Sequence, residues 1–153
     1  ISVYNGLKGI KEIGAKDDDI VIIHDSARPL INQKIIRENI ECCKAYGAVN
    51  TVIKATDTIV KSENGQTISD IPVRKELYQG QTPQTFNFSL IWNAHEAVKN
   101  KSVPNVTDDT KLVLLLGHDV HLVEGDKLNF KITTFDDLMM LKALLKIGKS
   151  EVL

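Results

Sequence analysis

Apolar positions along the chain alternate between a helical and a strand-like spacing. Val3, Leu7 and Ile10 recur at helical intervals within SVYNGLKGIKEI, which predicts an opening helix. After the charged turn KDDD, residues 20–23 (IVII) form a continuous apolar run, the pattern of a strand covered on both faces. Helical spacing returns in NQKIIRENIECCKAYG, with Ile36, Ile40 and Cys43 on the expected inner face, Asn32 as N-cap and Gly47 as the stop. AVNTVI, residues 48–53, reads as a second buried strand. Strand, helix and strand with short connections predict a βαβ unit, and with it a parallel sheet and a right-handed crossover.

The pattern changes beyond residue 55. TDTIVKSENGQTISDIPV has two β-like runs around Asn64 and Gly65, the signal of a hairpin with a type I′ turn. A hairpin inserted into a βα series has no place among parallel strands, so an arm over about residues 57–82 is expected to project and to embrace a partner subunit. ELYQGQTPQTF reads as extended, because Pro83 disfavours helix at Thr82. FSLIWNAHEAVKN is amphipathic with Leu90, Ile91, Ala94 and Val98 inward. VTDDTKLVLLLG predicts another helix, with Thr107 as N-cap, two aspartates in its first turn and Gly117 as its stop. DVHLVEG and NFKIT read as short strands, and Thr134 with Asp137 as a capping box for the last helix, DDLMMLKALLKIG. With no repeat, low-complexity tract or linker, residues 1–153 are read as a single α/β domain.

Composition narrows the class. A 42% hydrophobic and 25% charged content is that of an ordinary globular domain. Net charge is −1 with acids and bases interspersed, so no nucleic-acid or membrane surface is expected, and any bound anion must meet a local cluster. No apolar run approaches the ~20 residues needed to span a bilayer, and no signal peptide is evident. Cys42 and Cys43 are adjacent within a helical pattern, a poor basis for a disulfide framework, which predicts a reducing, cytoplasmic setting.

Ligands of open parallel sheets gather beyond the carboxyl ends of the strands, and HDSARP follows the first strand directly. There Asp25 suits a sugar hydroxyl or a divalent cation, and Arg28 a two-pronged grip on phosphate. Equally, Asp25 can cap the following turn and Arg28 can pair with a surface acid. Lys131, beside the end of a predicted strand, suits phosphate neutralisation or plain solvation. Arg74 after the hairpin and Thr82 in QTPQ have turn and edge readings as well as ligand readings. The four histidines, His24, His95, His118 and His121, lack metal-ligand spacing and read as structural or exposed, and Trp92 with Ile91 as packing. Neither a glycine-rich phosphate loop nor a G-x-S-x-G elbow occurs in the sequence.

HDSARP, TDTIVK, R-x7-TPQ, VTDD and VEGDxxNFKITTxxDL follow one another in register over residues 1–140. In these motifs the chain resembles the cytidylyltransferases that join a sugar-alcohol phosphate to CTP, those acting on 2-C-methyl-D-erythritol 4-phosphate and on ribitol 5-phosphate. The resemblance implies a Rossmann-like nucleotidyltransferase fold with a mostly parallel sheet, Mg²⁺ accompanying CTP, and a homodimer joined through the hairpin arm. It also implies roles for single residues. Asp25 would contact substrate and the Mg²⁺–CTP region, Arg28 the polyol phosphate, and Lys131 the charge on the reacting phosphates. Thr58, Arg74 and Thr82 would complete the neighbouring subunit's acceptor site, Thr107 would line the acceptor pocket, and Ser2 would lie near the cytosine. Such a reaction needs positioning and charge neutralisation, with no protein nucleophile or general base.

PVRKELYQGQTPQTFN and GAVNTVIKATDTIV resemble the ribitol enzymes more closely, which makes D-ribitol 5-phosphate, a teichoic acid precursor, the expected acceptor. The alternative is methylerythritol phosphate, for isoprenoid synthesis. Family members open with a strand and a loop of the type LAAGxGxRM that cradles the CTP triphosphate, and no such segment occurs in this sequence. The expectation is a truncated form, the C-terminal two-thirds of a family member, inactive alone. A different class of reading is a non-catalytic chain that dimerises through its arm and holds polyol phosphate without turnover. A nicotinamide-dependent dehydrogenase would require G-x-G-x-x-G after a first strand, which the sequence does not contain.

Overall fold

Four strands build one sheet in this computed structural model, which describes residues 2–99 and 108–151. Its strands are β1 (Ile20–Ile23), β2 (Ala48–Lys54), β3 (Tyr78–Asn87) and β4 (His121–Glu124), in the order β1-β3-β2-β4. β2 and β4 are parallel, whereas β3 runs antiparallel to both β1 and β2. Three strands therefore point the same way, as a βα series requires, but the expected neighbours β1 and β2 are separated by β3. That central strand was legible only as extended, because Gln81, Gln84 and Thr85 are polar yet buried.

Pro83 lies inside β3, where it has no N–H to give to the ladder. The register of β2 shifts opposite it, between Asn50 and Val52. Thr51 at the shift donates its hydroxyl to the Pro83 carbonyl at 2.7 Å, so a side chain replaces a missing backbone rung.

Among the described residues the helices are α1 (Ser2–Glu12), α2 (Gln33–Tyr46), α3 (Phe88–Val98), α4 (Asp109–Leu115) and α5 (Phe135–Glu151); α2, α3 and α4 pack on the sheet, and α1 packs on α3. Ala48 and Phe86, paired across β2 and β3, belong to a core with Leu7 of α1, Phe88, Ile91 and Ala94 of α3, and Leu112 and Val113 of α4. Val3, Ile10, Leu90, Trp92 and Val98 pack around it, as their spacing predicts. Complete burial of a side chain such as Phe86 or Ile91 contributes about 1.5–3 kcal/mol.

The next pair, Val49 and Thr85, turns to the α2 face. Here the predicted inner stripe is off by one residue, since the buried positions of α2 are Ile35, Asn39 and Cys43 rather than Ile36 and Ile40. Asn39 explains the miss. Its amide donates to the Ile35 carbonyl and the Thr51 hydroxyl, both at 2.9 Å, and accepts from the Thr85 hydroxyl at 3.2 Å. A fully satisfied amide can be buried, and hydropathy alone does not see it.

The caps of α2 match expectation: Asn32 Oδ1 accepts from the Ile35 N–H, and Gly47, at φ +82°, closes the C-terminus with its N–H on the Cys43 carbonyl. α4 starts one residue later than predicted, with Asp108 as the N-cap accepting from the Lys111 N–H, while Thr107 lies outside the described residues. Asp109 alone of the two aspartates then sits in the first turn. The capping box of α5 is present, Asp137 accepting from the Thr133 and Thr134 N–H groups and the Thr134 hydroxyl from Asp137 N–H.

The arm between β2 and β3 doubles back as expected, but its only ladder contact among the described residues is the bridge between Lys61 and Asp70. Its tip is wider than a two-residue turn: Asn64 Oδ1 accepts from the N–H groups of Gln66 and Thr67, and Ser62 Oγ from that of Gly65. NFKIT is not a strand; it lies in the loop joining β4 to α5. Among the described residues no helix is long and apolar enough to cross a membrane.

Candidate active site

β1 ends at Ile23, and HDSARP turns over the neighbouring strand β3. The turn is held by His24. Its Nε2 lies 3.0 Å from the Arg28 carbonyl, which can only accept, so this nitrogen carries the proton. Its Nδ1 lies within hydrogen-bond distance of the Thr82 hydroxyl, at 2.9 Å. The same Thr82 oxygen accepts the Asp25 N–H at 3.0 Å. One chain of hydrogen bonds thus fixes the backbone of Asp25 and of Arg28 against β3.

The loop after β4 approaches from the other side. Its Ile132 N–H donates to the Ala27 carbonyl at 2.8 Å. The Asn129 carbonyl accepts from Arg28 Nη1 at 2.8 Å, and Lys131 Nζ reaches Asp25 Oδ2 at 3.1 Å. Arg28 Nε lies 3.4 Å from the same Oδ2, an ion pair that leaves the Nε proton without a hydrogen-bond acceptor. Arg28 is nearly buried, at 11% side-chain exposure, while Lys131 keeps 46%. One cation is therefore fixed in place, and the other can extend toward a ligand.

Both cations line a cleft of about 420 Å³ that also touches Thr56, Gln79 and Lys127. With Asp57 on its wall and Asp25 bridging Arg28 and Lys131, the cleft is the local basic cluster that a near-neutral chain needs in order to hold phosphate. Gly125, where β4 gives way to the loop, permits the approach of that loop: a Cβ there would collide with the Gln81 side chain and come within 2.9 Å of Thr51 Cγ2.

Three of the residues singled out in the sequence, Asp25, Arg28 and Lys131, meet in one cluster, although Lys131 is presented by a loop rather than by a strand. Thr82 joins them with its hydroxyl already engaged by His24 and Asp25. Arg74 occupies a short turn, Arg74–Glu76, at the base of the arm and donates to the carbonyl of Thr56, a wall residue of the cleft. Thr58 is exposed two residues further along the arm, and Ser2 is exposed at the start of α1. Thr107 lies outside the described residues. His24, Gln81, Lys127 and Asn129 were not singled out as site residues. His24 and Asn129 are neighbours of Asp25 and Lys131 in sequence, but their contacts cross 58 and 47 residues and leave no local periodicity.

No group of three His, Cys, Asp or Glu side chains that could hold a metal occurs among the described residues. Among the described residues Asp25 is the carboxylate in direct contact with Lys131 and Arg28. This suits a cation coordinated mostly by phosphate oxygens and water, as Mg²⁺ commonly is, and does not suit a protein cage. The thiols offer no nucleophile: burial pushes Cys43 up to about 11, with the neighbouring Cys42 adding to the shift, and burial raises Cys42 as well.

The α/β sheet with its basic cleft at a strand tip has the fold of a nucleotidyltransferase, as its likeness to solved structures shows. Residues 1–147 match the family of 2-C-methyl-D-erythritol 4-phosphate cytidylyltransferase, IspD, and the chain belongs to that family. It is similar to the crystal structure of that cytidylyltransferase from Thermus thermophilus, at 32% identity and TM-score 0.81, over 95% of this chain and 68% of the other. The enzyme of the same name from Francisella tularensis is 30% identical, with TM-score 0.84 over 93% of this chain and 65% of that one. The 4-diphosphocytidyl-2C-methyl-D-erythritol synthase from Anaerococcus prevotii is also 30% identical, with TM-score 0.82 over 95% and 65%. The chain thus spans about two-thirds of the length of these solved chains. The matched family and solved chains carry methylerythritol in their names, the alternative of the sequence reading, and not the ribitol 5-phosphate suggested by the wording of residues 47–60 and 72–87.

Proposed function

We propose that this chain carries the acceptor side of a cytidylyltransferase site that transfers CMP from CTP to 2-C-methyl-D-erythritol 4-phosphate. The observation that carries the reading is the Asp25–Arg28–Lys131 cluster beside a cleft of about 420 Å³ lined by Arg28 and Lys131, in a chain of this family. An oxygen of the acceptor phosphate forms a bond to the α-phosphorus of CTP, the bond from that phosphorus to the β-phosphate oxygen breaks, and pyrophosphate leaves with the electron pair. Little covalent work falls to the protein.

Arg28, held by the Asn129 carbonyl and Asp25, serves as the fixed anchor for the acceptor phosphate. Lys131, the more exposed cation, follows the negative charge that builds on the reacting phosphates. Asp25 keeps both cations at one point and is the side chain placed to meet Mg²⁺ carried in on the nucleotide, which when bound neutralises the triphosphate. Ser2 is assigned to the cytosine side, and Thr58, Arg74, Thr82 and Thr107 to the acceptor.

The arm favours a homodimer as the working form. Ile59, Val60, Ile68, Ile71 and Val73 are all at least 40% exposed on it, apolar surface suited to cover by a partner subunit. The free thiols Cys42 and Cys43 support a cytoplasmic setting.

Pyrophosphate release with CTP and Mg²⁺, measured on the protein purified from its source and on the 153-residue chain, tests the reading. Release with methylerythritol phosphate supports it, and release with ribitol 5-phosphate alone moves the acceptor. If neither preparation turns over but calorimetry shows polyol phosphate binding, the chain is a binding module. Absence of both overturns the proposal.

A further inference from the structure

We propose that Asn129 is a positioning residue that sets the spacing between Arg28 and Lys131. Its side chain is fully buried, and its two amide protons go to β3, one to the Thr82 carbonyl at 2.8 Å and one to Gln81 Oε1 at 3.2 Å. Its own carbonyl accepts from Arg28 Nη1, and its N–H donates to the Asp126 carbonyl at 3.0 Å. Gln81 completes the link by donating its amide to that same Asp126 carbonyl at 2.9 Å.

One side chain therefore clamps the loop onto the strand whose Thr82 also fixes Asp25. Two residues further along the chain, Lys131 reaches the Asp25 carboxylate. Arg28 and Lys131 come from segments far apart in sequence, and their common reference is β3. Asn129 ties the lysine's loop to that reference, as His24 and Thr82 tie the arginine's turn. Asn129 Oδ1 is buried without a hydrogen-bond partner, so the side chain acts through its donors. Neither its burial nor its direction puts it on the cleft wall, which makes it a support and not a ligand.

The test is the Asn129→Ala chain, treated with an amine-acylating reagent and read lysine by lysine by peptide mass spectrometry. Release of the loop weakens the Lys131–Asp25 pair and frees the amine, so Lys131 should react several-fold faster relative to Lys127 of the same loop. General destabilisation would speed both lysines alike, and an unchanged ratio overturns the proposal. Gln81→Leu, which removes one acceptor of the Asn129 amide, gives a smaller change in the same direction and serves if Asn129→Ala fails to fold.

The catalytic arm of the test rests on the cytidylyltransferase reading; the acylation ratio does not, so the two can fail separately. Where turnover is measurable, kcat should fall tenfold or more, on the order of what a displacement of about 1 Å costs a positioned reaction. KM for the polyol phosphate should rise with it, because Arg28 and Lys131 lose register together. A mere loss of folded protein lowers kcat and leaves KM unchanged.

Discussion

The cleft and the arm are both assigned to one reaction, yet they are supported in opposite ways. Around the cleft, Asp25, Arg28, Thr82 and Asn129 are tied by hydrogen bonds between segments far apart in the chain, and Asn129 is fully buried. The arm has a single bridge among the described residues, a side-chain-held tip and a row of exposed isoleucines and valines. The hydrogen bonds around the cleft lie within this chain, whereas the arm presents apolar surface that stays exposed among the described residues. Substitutions in the first should therefore change chemistry or packing within one chain, and substitutions in the second should change association.

The largest expected effect is at Lys131. Lys131→Ala, in whichever preparation releases pyrophosphate, should cut turnover by orders of magnitude through lost stabilisation of transition-state charge, while the melting temperature stays nearly constant. The side chain is 46% exposed and its pair with Asp25 is open to solvent, so its contribution to folding is small. Unchanged turnover would remove the role assigned to it and leave the cleft a binding surface.

Next is the arm itself. Ile59 and Ile68 are 40% and 61% exposed, so changing both to aspartate costs little in the single chain and opposes burial against a partner. Sedimentation should shift toward monomer, with circular dichroism unaltered. A sedimentation profile identical to that of the parent would leave the arm as surface decoration and end the contrast drawn with the cleft.

A third substitution tests how far the order around the cleft depends on the buried polar residues beneath it. Asn39 links α2 to Thr51 and Thr85, and Thr51 in turn holds the Pro83 carbonyl beside Thr82. Asn39→Ala leaves those hydroxyls short of partners in a buried site and should lower stability by about 1–3 kcal/mol in urea titration. A loss below about 0.5 kcal/mol would mean that water or repacking replaces the amide.

The same polar residues mark the limit of what the sequence discloses. The helices, their stops at Gly47 and Gly117, and three of the four strands follow from periodicity and end signals, because apolar side chains define their buried faces. β3 and the inner face of α2 do not, because Gln84, Thr85 and Asn39 are polar residues buried in the fold, and the pairing that lets Asn39 and Thr85 go inside is invisible to a hydropathy pattern. Asp25, Arg28 and Lys131 were legible as motif residues at predicted strand ends, although Lys131 proved to belong to a loop. Their supports, His24 and Asn129, act across long sequence separations through donors and acceptors that spacing along one chain does not reveal.

The smallest effect concerns the far end of the loop that carries Lys131. Asp137 accepts hydrogen bonds from the Thr133 and Thr134 N–H groups and the Thr133 hydroxyl, which hold its carboxyl down at about 2 from 3.8. A folded-state pKa below the unfolded value means that the carboxylate form stabilises the fold. This contribution is fully present above the unfolded pKa and is lost as pH falls from 3.8 through about 2. Urea titrations of the parent and Asp137→Asn should differ at neutral pH and converge as the acid limit is approached. None of the hydrogen bonds of Asp137 reaches the arm, so hydrogen exchange along residues 57–72 should be the same in both proteins. A stability difference that persists undiminished at the acid limit would show that Asp137 acts through its shape and not its charge, and would detach the loop's far anchor from any pH dependence.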